Sequence, residues 1–290
     1  MIWLVGNKGM LGQDVEKKLR ENQIEYFTSD IEIDITHFDS LEKAVSEKTI
    51  EWIINCSAYT AVDKAEDEKE KAFLVNGEGV FNLAKITGIK KAKLIHVSTD
   101  YVFNGEKKEA YLETDSTDPI GVYGTSKLAG EKNIQKLIHS FFIVRTAWLY
   151  GKNGNNFVST MLRLFKEREE VKIVHDQFGS PTYTQDLASF ILTIIQKDSR
   201  DYGIYHYTNE GKTTWYEFGK KIYELGKKAG LLEKEIKITP ISTDEYPTKA
   251  KRPKNSYLSK EKAKKAFHIQ ISDWETALEN FINEVKNEES

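Results

Sequence analysis

The chain has 290 residues, 39% hydrophobic and 30% charged, enough for one large or two smaller domains around a buried core. A net charge of −3 gives no reason to expect nucleic acid as a partner, and no apolar run approaches the about 18 residues of a membrane span. The only cysteine, Cys56, excludes an internal disulfide and a cysteine metal cluster, and its apolar neighbours make it read as a small core residue.

In chain order, residues 2–5 read as a buried strand rather than a secretion signal, so a cytoplasmic location is expected. A helix over 10–22 follows directly, then a strand over 25–28 and a helix over 38–47. Strand 52–55, a long helix 70–87, strand 93–98, helix 123–138 and strand 141–146 continue the alternation. Apolar strands alternating with helices predict an α/β fold, a doubly wound parallel sheet of Rossmann type. Beyond Trp148 the pattern loosens. Helices are expected at 156–168, 184–196 and 214–230, the last with a glycine stop, and strands at 171–174 and 203–207. Residues 236–241 read as extended, and 246–253, with two prolines, as non-helical. Two helices, 259–266 and 272–285, end the chain, and 286–290 should fray. The charged run 63–71 reads as a solvated helix start. The expected organisation is a dinucleotide-binding domain over 1–150, to which 171–196 returns, and a smaller C-terminal substrate-binding lobe over 151–290.

Gly6-Asn7-Lys8-Gly9-Met10-Leu11-Gly12 joins the first strand to the first helix. Unpaired N–H groups and partial positive charge at a helix start suit a pyrophosphate. Gly6 permits the turn, Gly9 the close approach of phosphate and Gly12 the packing of helix on strand. Asp30, eighteen residues after Gly12, is placed to accept from the adenosine ribose and to repel a 2′-phosphate. That favours NADH over NADPH, although Lys8 could reverse the preference. Asp34 and Ile35 are candidates to contact adenine, with a plain turn or cap role for Asp34 left open. Ser57, Ala58 and Tyr59 stand at the carboxyl end of the third strand, where small residues leave room for the cofactor ribose and diphosphate.

Tyr123 and Lys127 are four apart and share a helix face. A free tyrosine titrates near 10. A nearby ammonium, together with the positive nicotinamide ring of an oxidised cofactor complex, is expected to lower that value and make Tyr123 an acid–base group. Thr99, ending the fourth strand, can polarise a carbonyl beside it.

These segments resemble the extended short-chain dehydrogenase/reductase family, and within it the dTDP-4-dehydrorhamnose reductases. The likeness continues through residues 57–66, 98–103, 122–131, 145–150, 155–157, 176–182 and 252–256, in order over nearly the whole chain. It implies Thr99, Tyr123 and Lys127 as the catalytic triad, Asp100 and Tyr101 in the sugar pocket and Trp148 facing the deoxysugar. It further implies NAD(P)H-dependent reduction of the C4 ketone of dTDP-4-dehydro-L-rhamnose, in nucleotide-sugar and polysaccharide biosynthesis. Asn156, Phe157 and Arg252 are candidates for the deoxythymidine diphosphate, Lys249 and Lys251 competing with Arg252. Some members dimerise through acidic residues that share magnesium. No such set carries over, Asp14 reading as a solvated helix residue, so no metal is expected and monomer or homodimer stays open. The six histidines lack ligand spacing. Two other readings remain: a related nucleotide-sugar 4-ketoreductase giving the C4 epimer, and a non-catalytic cofactor-binding regulatory subunit.

Overall fold

The computed structural model describes residues 1–289. Strands β1 (Ile2–Val5), β2 (Tyr26–Ser29), β3 (Trp52–Asn55), β4 (Lys93–Thr99) and β5 (Phe141–Thr146) form one parallel sheet with a sixth, Gly203–His206. The order is β2, β1, β3, β4, β5, then Gly203–His206 at the edge. The chain leaves β1 towards β2 and returns on its other side as β3. The C-terminal ends of β1 and β3 therefore flank the crevice where connections diverge, the ligand-binding position of such sheets.

The apolar runs are explained by burial on both faces. Ile2, Leu4, Trp52 and Ile54 face the helices Met10–Glu21, Thr184–Gln196 and Glu261–Phe267. Trp3, Val5 and Ile53 face Phe38–Val45, Val80–Lys90 and Val122–Leu137. A third core holds Tyr150, Phe165, Phe218 and Phe281 between the helices Phe157–Glu167, Trp215–Ala229 and Trp274–Glu289. The parallel pair Glu170–Val174 and Lys237–Ile241 belongs to the same unit.

Thr214 caps the helix Trp215–Ala229 by accepting from Glu217 N–H, and Gly230 stops it at φ +79°. The long helix expected over 70–87 is broken. Lys69–Phe73 passes through a wide π turn, Leu74–Gly79, before Val80–Lys90. Tertiary bonds account for the break. Asn76 accepts from Tyr59 N–H at 2.9 Å and donates to Tyr59 O and to Ser126 Oγ, each at 3.0 Å. The final helix runs to Glu289 where fraying from Lys286 was expected, and Ser290 lies outside the described residues. Among the described residues no helix is long and apolar enough to cross a membrane.

Candidate active site

A cleft of about 930 Å³ runs along the C-terminal edge of the sheet from the glycine turn to the end of β5. Its floor is backbone at one end. Gly6, at φ +80°, sits so close to β3 that a Cβ would lie 2.6 Å from Ser57 N. A Cβ on Gly12 would lie 2.1 Å from Gly6 O, so the first helix packs directly on the turn. A Cβ on Gly9 would meet only Gly6 O, at 3.4 Å, and otherwise faces open cleft. Gly9 precedes the helix without a side-chain cap, and no acid stands in the first turn. Unpaired N–H groups at the helix start, no covering side chain and no carboxylate in the first turn fit a pyrophosphate.

Asp30 ends this wall, held by Lys8 N–H at 3.0 Å and Ile31 N–H at 2.9 Å. Lys8 Nζ pairs with Glu32 at 3.1 Å. Glu32, Ile31 (86% exposed) and Ile33 were not singled out from sequence. Ile31 and Ile33 line the cleft with Asp34 and Ile35 and offer flat apolar contact. Asp34 accepts from Thr36 N–H at 2.9 Å, so it also serves as a turn residue. Met10, Leu11, Ser57, Ala58 and Tyr59 also line the cleft, and Cys56, packed against the core as expected, reaches it too. Burial pushes the Cys56 thiol up to about 12.

At the other end Thr99, Tyr123 and Lys127 share the same wall with Asp100, Tyr101 and Trp148. Thr99 Oγ1 donates to Asp100 Oδ1 at 3.0 Å and accepts from Tyr101 N–H at 3.2 Å. Tyr101 and Tyr123 meet edge to face, centroids 5.5 Å apart. Gly124 permits this, since a Cβ there would lie 2.1 Å from Tyr101 O. Lys127 is buried and donates to Val97 O at 2.7 Å. Among the protein's own groups, Lys127 does not lower Tyr123 as expected. Burial pushes the phenol up to about 12, with the Thr99 hydroxyl acting downwards and Asp100 upwards. Desolvation of the phenolate is the largest cause, and Lys127, itself buried, turns its ammonium to Val97 O. Burial also draws Lys127 down to about 8, opposed first by Glu131.

The residues expected at the diphosphate are not brought together. Asn156 is consumed as a helix cap, accepting from Ser159 N–H at 3.0 Å and donating to Gly151 O at 2.7 Å. Phe157 packs on Trp215 and Phe218 in the third core. Neither borders the cleft; Asn155 does. Arg252 pairs with Asp63 at 2.6 Å and lies 6.0 Å from the centroid of the Tyr101 ring. It borders a second cavity of about 930 Å³ with Phe178, Lys212, Tyr246, Lys251 and Lys254. The charged run 63–71 is thus partly a clasp, since Asp63 also accepts from Ala250 N–H at 3.0 Å and Asp67 pairs with Lys249. Trp148, at φ +47°, faces the cleft and stacks on Trp215 at 3.7 Å. Asp14 is 6% exposed, not solvated as expected, packed near Thr184 and Glu284, and burial raises its carboxyl above the usual range.

A family model described as the RmlD substrate binding domain matches residues 1–287. The chain belongs to that family. Among its relatives is a dTDP-4-dehydrorhamnose reductase of Aggregatibacter actinomycetemcomitans, 42% identical over 283 residues and covering 96% of each chain. A solved dTDP-4-dehydrorhamnose reductase of Bacillus anthracis, in complex with NADP, superposes with a TM-score of 0.92 at 40% identity, covering 98% of each chain. A UDP-glucose 4-epimerase of Thermotoga maritima shares the fold at 19% identity and a TM-score of 0.82, covering 100% of this chain and 99% of that one. This member of the RmlD family is an enzyme, an oxidoreductase with the α/β architecture of its relatives.

Proposed function

We propose that the chain reduces the C4 ketone of dTDP-4-dehydro-L-rhamnose to dTDP-L-rhamnose with a nicotinamide cofactor. The observation that carries the mechanism is that Thr99, Tyr123 and Lys127 stand on the wall of the cleft that starts at the glycine turn. A reduced nicotinamide, when bound, supplies the hydride. The turn 6–12 would hold its pyrophosphate, Asp30 its adenosine ribose and Lys127 its nicotinamide ribose.

Tyr123 keeps its proton at neutral pH, because burial holds it near 12. That suits a group that gives a proton from Oη to the ketone oxygen as negative charge develops there. Thr99 Oγ1, beside it, would share that oxygen as a second donor. Asp100, Tyr101 and Trp148 orient the sugar, which contributes through reduced entropy of approach. Arg252 would leave Asp63 to meet a phosphate bidentately, and the second cavity would take the rest of the nucleotide.

NADH is favoured by Asp30 and Glu32 at the ribose wall, and NADPH is accepted if Lys8 leaves Glu32 for a 2′-phosphate. The division into a cofactor domain over 1–150 and a substrate lobe is part of this reading, with one correction to the expected return of 171–196: the helix Thr184–Gln196, the strand Gly203–His206 and the helix Glu261–Phe267 join the cofactor sheet, whereas Glu170–Val174 pairs with Lys237–Ile241 in the third core. A cytoplasmic location, where reduced cofactor and nucleotide sugar meet, is also part of this reading. The test is oxidation of NADH and of NADPH, in parallel, with the keto-sugar nucleotide made in situ and the product assigned by NMR. A rhamnose-configured product supports the reading. A C4-epimeric product makes the chain a different 4-ketoreductase, and cofactor binding without turnover makes it a regulatory subunit.

A further inference from the structure

One buried charge beside this site, Glu131, has no part in the proposed reaction. Glu131 lies one turn beyond Lys127 on the helix Val122–Leu137, as Lys127 lies one turn beyond Tyr123, so the three follow one face. Glu131 is 0% exposed. Its Oε1 accepts Ser98 Oγ at 2.5 Å and Arg145 Nε at 3.0 Å, and its Oε2 accepts Arg145 Nη2 at 2.6 Å. Ser98 is the neighbour of Thr99, and Arg145 stands opposite Ser98 in the β4–β5 register. The guanidinium also lies 5.1 Å from the centroid of the Phe103 ring. Burying an ion pair generally costs more desolvation than its attraction returns, so a buried pair beside a reaction site asks for a use. Lys127 and Glu131 together tie this helix to the last residues of β4, through Val97 O and Ser98 Oγ.

We propose that Glu131, held in place by Arg145 and Ser98, is a positioning residue that sets a negative charge one helical turn from Lys127 and aligns it with Thr99 and Tyr123. Glu131 and Arg145 touch no reacting atom in this scheme; they act through Lys127.

The surroundings of Lys127 support the assignment. Cys56 faces it from the end of β3, His96 from β4 and Glu131 from its own helix, with Arg145 behind Glu131. The Cys56 thiol is held near 12 and is neutral. Burial keeps His96 neutral, well below its usual range. Tyr123 is neutral, and Asp100, near 6, acts on Tyr123 rather than on Lys127. Glu131 therefore supplies the negative charge that opposes the desolvation of Lys127, and Arg145 cancels part of it. Lys127, near 8, is the group in this set that titrates just above neutrality. Its charge is present below about 8 and is lost as pH rises through that value.

The inference rests on the reductase reading, and its test separates the two. The full chain is compared with Glu131→Gln, Arg145→Gln and the double variant. The first readout is kcat/KM against pH with NADPH and the keto-sugar nucleotide. The second is the pH dependence of NADPH affinity alone, followed by cofactor fluorescence. Glu131→Gln should move the alkaline limb of both down by about one pH unit or more, since a facing charge is lost in a desolvated site. Arg145→Gln should move it up, and the double variant should bring it back near wild type. If Glu131→Gln does not fold, the step from Arg145→Gln to the double variant removes the same charge and must lower the limb. Ser98→Ala, which keeps both charges, should raise it slightly. A purely structural pair predicts limbs that coincide with wild type in every folded variant, and that result would overturn the proposal. Absence of sugar turnover in wild type would defeat the substrate reading alone, because the fluorescence limb still decides the role of the pair.

Discussion

The two ends of the cleft are made of different material. The cofactor end is backbone: Gly6, Gly9 and Gly12 contribute no side chain, and each glycine answers to a neighbour a few residues away or on the adjacent strand. The substrate end is side chains drawn from β4, the Val122–Leu137 helix and the end of β5, with the segment around Arg252 bordering the second cavity. A backbone site is specified by local spacing. A side-chain site is specified by whatever the tertiary fold brings together, and its members compete for partners already present.

The comparison breaks most visibly at Tyr123. Tyr123→Phe should lower kcat by about 10³-fold, the scale of a lost positioned acid. NADPH affinity, read by fluorescence, should stay near wild type. Equal loss of cofactor affinity would mean that the ring shapes the cofactor end and that the division between the ends is false. At the other end, Gly12→Ala should lower cofactor affinity by about 100-fold, because a Cβ 2.1 Å from Gly6 O must displace the turn. The control is Gly154→Ala, where φ is +79° but nothing lies within 4 Å. It should cost about 1 kcal/mol of stability and leave affinity unchanged, as read by thermal melting.

Smaller effects sharpen the contrast. Arg252→Ala should raise the sugar-nucleotide KM by about tenfold while sparing kcat, the loss expected of one charge-assisted phosphate contact. Asp63→Asn should lower that KM, because it frees the same guanidinium from a 2.6 Å ion pair. If Asp63→Asn instead raises it, the clasp to residues 249–252 organises the site and does not compete with substrate. Asp30→Ala should shift the cofactor preference severalfold towards NADPH, measured as the ratio of kcat/KM values.

This difference in material also explains what could be read in advance. The strands of the sheet were legible because burial on two faces leaves continuous apolar runs, as in Ile2–Val5 and Trp52–Asn55. The turn at 6–12 was legible because its glycines are required at fixed offsets. The π turn at Leu74–Gly79 was not, since Asn76 earns it through partners seventeen and fifty residues away. Asn156 misled for a similar reason: an amide before a phenylalanine reads equally as ligand or cap, and only the bonds to Ser159 and Gly151 decide. Glu131 was passed over because a glutamate in a helix usually faces water. The arginine that buries it comes from the next strand.

The smallest effect concerns stability at the boundary between the two ends. Burial pushes the Asp100 carboxyl from 3.8 up to about 6, against the Ser256 and Thr99 hydroxyls and nearby backbone N–H groups. The folded protein thus binds this proton more tightly than the unfolded chain does. The stability associated with that proton is fully present below about 3.8 and is lost as pH rises through about 6. At neutral pH the carboxylate is a strained tenant, kept beside Tyr123 at a cost to the fold. Asp100→Asn, nearly isosteric and uncharged, should raise Tm at neutral pH, leave it little changed at the acid end, and flatten the slope between. It should also weaken sugar binding if Asp100 orients the substrate, the exchange of activity for stability expected of a site residue. An unchanged slope would show that Asp100 is solvated when the fold breathes, and would place the boundary of the dry substrate end at Tyr101 instead.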